Sequence, residues 1–427
     1  MNTFTDLRHA ERITTVKPLP AWAYLSPELL ELEYERVILP SWQFVCHQNE
    51  VPAAGDYVTL DLWRDSVIVM RGSDGRLRAF QNACRHRGAR LLDGNGHCAR
   101  QITCPYHAWS YELEGQLARV PAERTFQSLD KLSLGLREFE LETFLGLVFV
   151  RIAGGGPSLN SVLGELAGEL APFGIEDMVP AAAARPVEQW NCNWKVALDN
   201  YLDNYHVPYG HPGLHRLMDN DLACTINTHG VSWSRSTIRE RASPNWSERA
   251  YQGLARRAFS GLPQSIRSTW MFCFMPVNIG FDVYPDGMNI FQVLPTGPGT
   301  TEVRLPLYHR RDASRETRGV RYLARRINAQ INHEDKLLCE RVQGGLAGHG
   351  YAAGPLSDWE MPVKDMHDRL RSACPVLDCL QRPAEGSLRS INERMLADQA
   401  ASARDRSAEK SAITRSGEQD SIGSPML

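Results

Sequence analysis

The 427-residue chain carries 47 Lys and Arg against 50 Asp and Glu, a formal net charge of −3, and 43% hydrophobic residues. That balance argues against a basic nucleic-acid surface, and no stretch reaches the roughly 18 uninterrupted apolar residues of a membrane span. At about 150 residues per domain the length predicts two or three domains.

The opening MNTFTDLRHAERITT has neither the apolar core nor the small-residue cleavage site of a secretory signal, so a cytoplasmic protein with reduced thiols is expected. Ser26-Pro27-Glu28 is a helix start, with Ser as N-cap and Pro in the first turn, and Pro40 stops that helix after Leu39. Residues 1–44 are therefore predicted to form a helical segment packed on a later domain. From Asp56 the pattern changes to short runs, Tyr57–Leu62, Ser66–Arg71, Leu77–Asn82 and Trp109–Leu113, with hairpin turns at Ser73-Asp74-Gly75 and Glu114-Gly115. Residues 45–155 read as a small antiparallel all-β domain that ends near the Gly-rich joint Ala153–Ser158.

The next unit, 156–390, mixes a helix at 194–207, strands across 268–310 and a long helix from Glu316 to Leu346, which together predict an α+β fold with an antiparallel sheet. The long helix carries an apolar stripe of Leu323, Ile327, Ile331, Leu338 and Val342. Residues 391–427, turning to Ser, Ala and alternating charge from about Ala397, are predicted to be a disordered tail.

Eight of the ten cysteines read as small buried hydrophobes. The other two stand in Cys84-Arg85-His86 and Cys104-Pro105-Tyr106-His107, two mixed pairs separated by seventeen residues. Structural zinc sites usually pair Cys with Cys and His with His. Two thiolates and two imidazoles instead suit a [2Fe-2S] centre in which histidines replace two cysteines on one iron. The runs Cys84-Arg-His-Arg-Gly and Cys104-Pro-Tyr-His-Ala-Trp resemble the Rieske motif of the large (α) subunits of Rieske non-haem iron oxygenases.

A second constellation follows in Asn193–His211. Asp199, Asp203 and His206, spaced by four and three, would share one helical face, while Pro208, Gly210 and Pro212 would bend the chain so that His211 meets the same ion as His206. The apolar stripe of the long helix is interrupted at its expected next position by Asp335. A carboxylate there is costly unless it is paired or metal-bound, so an ion pair with Arg325, Arg326 or Arg341 competes with a metal role. His333 and Glu334 fall off the stripe and read as solvated; His215 reads as a surface or supporting residue, and Asp199 as a partner orienting a ligand.

Asp203, His206, His211 and Glu334–Gln343 are similar to the catalytic signature of the same family, above all its homo-oligomeric choline, glycine betaine and carnitine monooxygenases. The resemblance implies that His206, His211 and Asp335 bind a mononuclear Fe(II), that Asp203 bridges to a neighbouring subunit's Rieske histidine, and that Asn200 lies near the iron. It also implies a homotrimer fed by a separate NAD(P)H-dependent reductase, with or without a ferredoxin. Neither a dinucleotide-binding glycine motif nor a plant-type ferredoxin run occurs in the sequence.

Trp233, Trp246, Trp270, Phe272, Phe274, Phe281, Tyr284 and Phe291 supply aromatic surface for an apolar, aromatic or quaternary ammonium substrate, each of them equally readable as core. The expected activity is hydroxylation or oxidative N- or O-dealkylation. A cis-diol-forming aromatic dioxygenase and a Rieske electron carrier without its own chemistry are the alternatives.

Overall fold

The computed structural model describes residues 18–181, 186–311 and 314–419. The leaderless N-terminus expected from the sequence lies outside them. Ser26 Oγ accepts the Leu29 backbone N–H and starts α1 (Pro27–Glu33), which continues as a wider turn to Ile38. Leu29 and Leu30 are buried in one core with Trp194 and Leu198 of the second domain.

The first domain is all-β: β1 (Gln43–His47), β2 (Asp56–Leu62), β3 (Asp65–Arg71), β4 (Leu77–Gln81), β5 (Asn95–His97), β6 (Gln101–Thr103), β7 (Ser110–Glu112), β8 (Leu117–Arg119), β9 (Glu138–Phe144) and β10 (Leu147–Arg151). Seven strands order as β1-β10-β9-β4-β3-β2-β5, and β6-β7-β8 form a separate small sheet. The β3–β4 hairpin turns through Gly75 at φ +77°, a left-handed conformation that glycine adopts without strain. Strand β3 is buried on both faces. Val67 and Val69 enter one core, while Ile68 and Met70 enter another that contains Cys84, Cys104 and Trp109. One side of this sheet therefore forms the floor of the two Cys/His loops.

In the second domain α2 (Leu159–Leu170), β11 (Val179–Pro180) and β12 (Val187–Trp190) lead into α3 (Trp194–Leu202), α4 (Val207–Gly210) and α5 (Pro212–Leu217). Then come β13 (Met218–Ile226), β14 (Ser232–Ile238), α6 (Trp246–Ala258), β15 (Thr269–Met275), β16 (Ile279–Tyr284), β17 (Gly287–Gly297), β18 (Thr300–Arg304) and β19 (Leu307–His309). The sheet runs β11-β19-β17-β16-β15-β14-β13, with β18 beside β17 and β12 on β18. On β16 the period of two sends Ile279, Phe281 and Val283 into a core that also takes Phe44 and Phe149 of the first domain. Each such side chain contributes roughly 1.5–3 kcal/mol, so the back of this sheet is joined firmly to the β domain. Its front is covered by α3 and by α7 (Arg315–Leu346), whose start is capped by Ser314.

Two expectations are corrected. Val342 is half-exposed, and the buried position in that part of α7 is Cys339. The predicted disordered tail instead begins as a helix: α8 (Met361–Ala373) is followed by α9 (Leu388–Gln419). Ala, Arg, Glu and Lys are strong helix formers even without an apolar stripe. The first turns of α9 are also anchored, with Leu388 and Asn392 buried and Arg389 paired to Glu35.

Candidate metal centres

The first candidate centre sits on two loops of matching geometry. In one, the Cys84 N–H donates to Ala89 O, the Gly88 N–H donates to Cys84 O, and Gly88 has φ +72°. In the other, the Cys104 N–H donates to Trp109 O, the Ala108 N–H donates to Cys104 O, and Ala108 has φ +54°. Each loop thus buries a cysteine at its base and holds a histidine two or three residues on, half-buried at its tip. The second loop is a hairpin tip as expected, whereas the first is a crossover, because β4 and β5 pair with other strands.

The His86 and His107 rings lie 4.7 Å apart between centroids, with His86 stacked on Trp109. His86 Nδ1 is buried without a hydrogen-bond partner, the condition of a nitrogen held for a metal. Burial and the neighbouring Cys104 sulfur hold the Cys84 thiol above its usual range, against the pull of Tyr111. A metal would displace that proton. Among the described residues, only His206, His211 and Asp335 gather three ligand atoms within reach of a single ion. The Cys84, His86, Cys104 and His107 set therefore fits a two-iron cluster, with cysteines on one side and histidines on the other, better than one zinc ion.

Sequence patterning missed two supports of these loops. Buried Asn82 accepts the N–H groups of Leu91 and Leu92 and donates to Leu92 O, and Tyr111 Oη lies 3.2 Å from Cys84 Sγ while accepting the Arg85 N–H.

At the second centre the predicted helix 194–207 stops early. Helix α3 ends at Leu202, and Asp203 is already extended at φ −92°, ψ 116°. The shared helical face expected for Asp199, Asp203 and His206 is lost accordingly. Asp199 turns to the Tyr24 hydroxyl at 2.7 Å and to His367 Nε2 at 2.9 Å, and it touches neither candidate ligand histidine. Asp203 and His206 still meet, through the tight turn, at 3.1 Å. Helix α4 then brings His211 back toward His206. Gly210 makes this packing feasible, since a Cβ there would sit 3.1 Å from both His206 Cδ2 and Leu338 Cδ1.

Three atoms converge: His206 Nε2 to His211 Nε2 is 3.1 Å, His211 Nε2 to Asp335 Oδ1 is 2.8 Å, and His206 Nε2 to Asp335 Oδ1 is 3.4 Å. Metal–ligand bonds of about 2.0–2.2 Å at right angles place neighbouring ligand atoms about 3 Å apart. The observed triangle, 2.8–3.4 Å on a side, therefore has the size that three ligands of one ion need.

The far nitrogens are held as well, His206 Nδ1 by Asp203 and His211 Nδ1 by Glu334 at 2.8 Å. A carboxylate only accepts, so each Nδ1 carries a hydrogen, and loss of the Nε2 proton would leave that nitrogen's lone pair for a cation at the shared point. Burial disfavours the imidazolium, yet Asp203 and Asp335 push the His206 pKa up to about 9 in the metal-free chain. A cation would replace that proton. Glu334, read from sequence as solvated, is instead part of this arrangement, while His215 stays outside the group of three. The signal missed was that Glu334, beside Asp335 on α7, could reach the opposite nitrogen of the same imidazole.

A cavity of about 110 Å³ opens over the triangle. Of the aromatic residues nominated from sequence, Phe272 and Phe291 line it. Trp270, Phe274 and Phe281 are core, and Trp246 is exposed. Asn200 lines it too, with Nδ2 3.4 Å from His206 Nε2.

Residues 41–139 match the Rieske [2Fe-2S] domain family, and residues 176–375 match the ring hydroxylating alpha subunit (catalytic domain) family. The chain is 32% identical over 335 residues to the carnitine monooxygenase oxygenase subunit of Acinetobacter pittii, covering 78% of this chain and 86% of that protein. It is 28% identical over 403 residues to the glycine betaine monooxygenase oxygenase subunit of Chromohalobacter salexigens, covering 85% and 89%. A crystal structure of a quaternary ammonium Rieske monooxygenase in complex with an inhibitor superposes with a TM-score of 0.71 at 26% identity, over 83% of this chain and 95% of that one. A naphthalene 1,2-dioxygenase from Rhodococcus shares the fold at TM-score 0.67 and 20% identity. The cofactors of this architecture are a Rieske [2Fe-2S] cluster and a mononuclear iron. The chain belongs to the Rieske non-haem iron oxygenases, as an oxygenase α subunit close to the quaternary ammonium monooxygenases.

Proposed function

We propose that this subunit is a terminal monooxygenase that hydroxylates a small substrate, or removes an N- or O-alkyl group from it by hydroxylating the attached carbon. The balance is one substrate C–H, one O2, two electrons and two protons giving C–OH and water; a hydroxylated N- or O-alkyl carbon then leaves as an aldehyde or ketone. The observation that carries this reading is the triangle of His206, His211 and Asp335 beneath a cavity of about 110 Å³. When bound, the cluster relays single electrons and the ferrous ion activates O2.

In this reading Cys84, His86, Cys104 and His107 hold the cluster and His206, His211 and Asp335 hold the iron. Asp203 and Glu334 fix the two imidazoles in the tautomer that leaves Nε2 free. Asn200 is a polar contact beside the iron position. Asp203 also accepts the Tyr205 N–H, tying His206 to a rim where Tyr205, Tyr209 and Trp359 are exposed. That rim, and the exposed Tyr106 beside His107, support electron entry from a neighbouring subunit's cluster through Asp203 in a homotrimer. A separate NAD(P)H-dependent reductase, directly or through a ferredoxin, supplies the electrons.

Iron and acid-labile sulfide analysis after anaerobic Fe(II) loading tests the foundation. About three irons per two sulfides is expected, and two irons per two sulfides would sink the catalytic assignment. Product analysis under ¹⁸O2 tests the reaction type. One labelled oxygen per product supports monooxygenation, and a doubly labelled cis-diol would replace it with dioxygenation.

A further inference from the structure

A second cavity, of about 390 Å³, lies between the first half of α7 and the β11–β19 edge of the sheet, and it shares no lining residue with the cavity over the metal triangle. Its size is that of a small-molecule site. Arg318, Arg321 and Arg325 stand three and four residues apart on α7, so they leave one face of the helix, and all three line the cavity. Pro180, Pro186 and Pro306 line it too and, lacking an N–H, add apolar wall without a backbone donor. Donation into this space therefore falls mainly to the guanidinium groups.

The charge is uneven. Residues 310–326 hold seven arginines against Asp312 and Glu316, in a chain of net charge −3. Asp286 takes Arg321 at 2.6 and 3.0 Å. Glu50, the only carboxylate among the described residues lining the cavity, accepts the Tyr308 hydroxyl at 2.7 Å and the His47 N–H at 2.8 Å. Arg325 meets no carboxylate among the described residues. A recess of about 30 Å³ adjoins the cavity, the two sharing Leu307, His309, Arg321 and Arg325. There His309 Nδ1 is buried without a hydrogen-bond partner, facing Gly287, where a Cβ would stand 2.7 Å away. A buried polar atom left unpaired is rare inside a protein and calls for a group supplied from outside. Burial and the Arg321 charge hold the His309 pKa down to about 4, so the ring is neutral, and an anion beside it would oppose that field.

Paired N–H donors on a rigid fork match the oxygens of a phosphate or a carboxylate, and the excess of positive charge favours two negative charges over one. We propose that Arg318, Arg321 and Arg325, with His309, form a second ligand site, which takes a small dianion presenting phosphate or two carboxylates. It stands apart from the oxygenase reading, though α7 joins the two sites: Arg325 precedes Asp335 by ten residues, about 15 Å of helix.

Inorganic phosphate, succinate and acetate are titrated calorimetrically into the iron-loaded, reduced, anaerobic oxygenase at about 0.15 M ionic strength, which screens diffuse surface binding. One site per chain with a Kd below about 1 mM is expected for phosphate or succinate, with acetate at least about tenfold weaker. Tighter phosphate binding identifies a phosphorylated ligand, and tighter succinate binding a dicarboxylate. Arg325→Gln and Arg318→Gln should each weaken the better dianion about tenfold, while Arg382→Gln, exposed and outside this cavity, should leave it unchanged. Either dianion could also coordinate the mononuclear iron, and the variants separate the two: binding that survives both substitutions lies at the metal or elsewhere and overturns the proposal. A Kd above about 1 mM for both dianions, acetate binding as tight as theirs, or equal losses in Arg325→Gln and Arg382→Gln would overturn it as well. The wild-type comparison stands even if one variant fails to fold, and iron and sulfide content shows that each sample is intact.

Discussion

His211 is clamped at Nδ1 by Glu334, 2.8 Å away, and at Nε2 by Asp335, also 2.8 Å away. Two consecutive residues of α7, whose side chains diverge by about 100°, thus reach opposite edges of one ring. Glu334 sets the tautomer, so its loss should act on metal affinity and leave the fold standing. Glu334→Ala is expected to weaken Fe(II) binding about 10–100-fold, with Glu334→Gln milder because its amide oxygen still accepts. Fe(II) titration monitored by metal retention measures this, and unchanged affinity would remove Glu334 from the site.

Asp335 should behave differently. Asp335→Ala removes one of the three proposed ligand atoms, so the expected product carries two irons per two sulfides with an undisturbed visible spectrum of the cluster. Asp335→Ala also leaves the imidazoles of His206 and His211 without the carboxylate both now face. A variant that still holds a third iron would show that the triangle is an ion-pair network.

The residues that specify these centres were legible to very different degrees. Cys84, His86, Cys104 and His107 stand out because two mixed pairs with near-identical spacing have few other uses, and the duplicated loop geometry is what that spacing encodes. Asp335 was visible as a charge on an apolar stripe. Glu334 was not, because helix periodicity scores a residue against its own helix and says nothing about a ring arriving from α4. Asp199 misled for a related reason: the 199, 203, 206 interval is helical only if the helix continues, and α3 ends at Leu202. The antiparallel character of both domains followed from alternation and turn residues. That Phe44 and Phe149 join the core behind β16 depends on packing between distant segments, which no local pattern carries. The N-terminal turns of α9 are held by Leu388 and Asn392, too few residues to register against a polar background.

Tyr111 offers a test of the cluster that is independent of catalysis. Its Oη accepts the Arg85 N–H at 2.9 Å, which frees its own proton for Cys84 Sγ at 3.2 Å. A hydrogen bond to a cluster sulfur stabilises the more negative reduced state. Tyr111→Phe should therefore lower the reduction potential, on the order of 50 mV if the bond is worth about 1 kcal/mol in a one-electron couple. Spectroelectrochemistry reads this directly. A potential unchanged within about 10 mV would mean that the hydroxyl serves only the Arg85 amide.

Asp282 makes the pH dependence of stability informative. Asp282 on β16 lines the cavity and accepts the Tyr201 hydroxyl, and burial, with the Asp335 charge adding to it, holds its folded carboxyl up to about 7, against 3.8 for the ordinary group. The unfolded chain releases this proton near pH 4, while the folded chain keeps it until about pH 7. Stability is therefore lost as pH rises between those values, and the deficit is complete above them, with a ceiling of about 4 kcal/mol. In protein stripped of mononuclear iron by a chelator, Asp282→Asn should melt with the wild type near pH 4 and above it at pH 8. A nearby divalent ion favours the ionised carboxylate, so reloading Fe(II) should narrow the gap at pH 8. Differential scanning calorimetry across pH 4–8 decides the matter. A variant no more stable than wild type at pH 8 would mean that the empty cavity solvates Asp282 and that its charge carries no penalty.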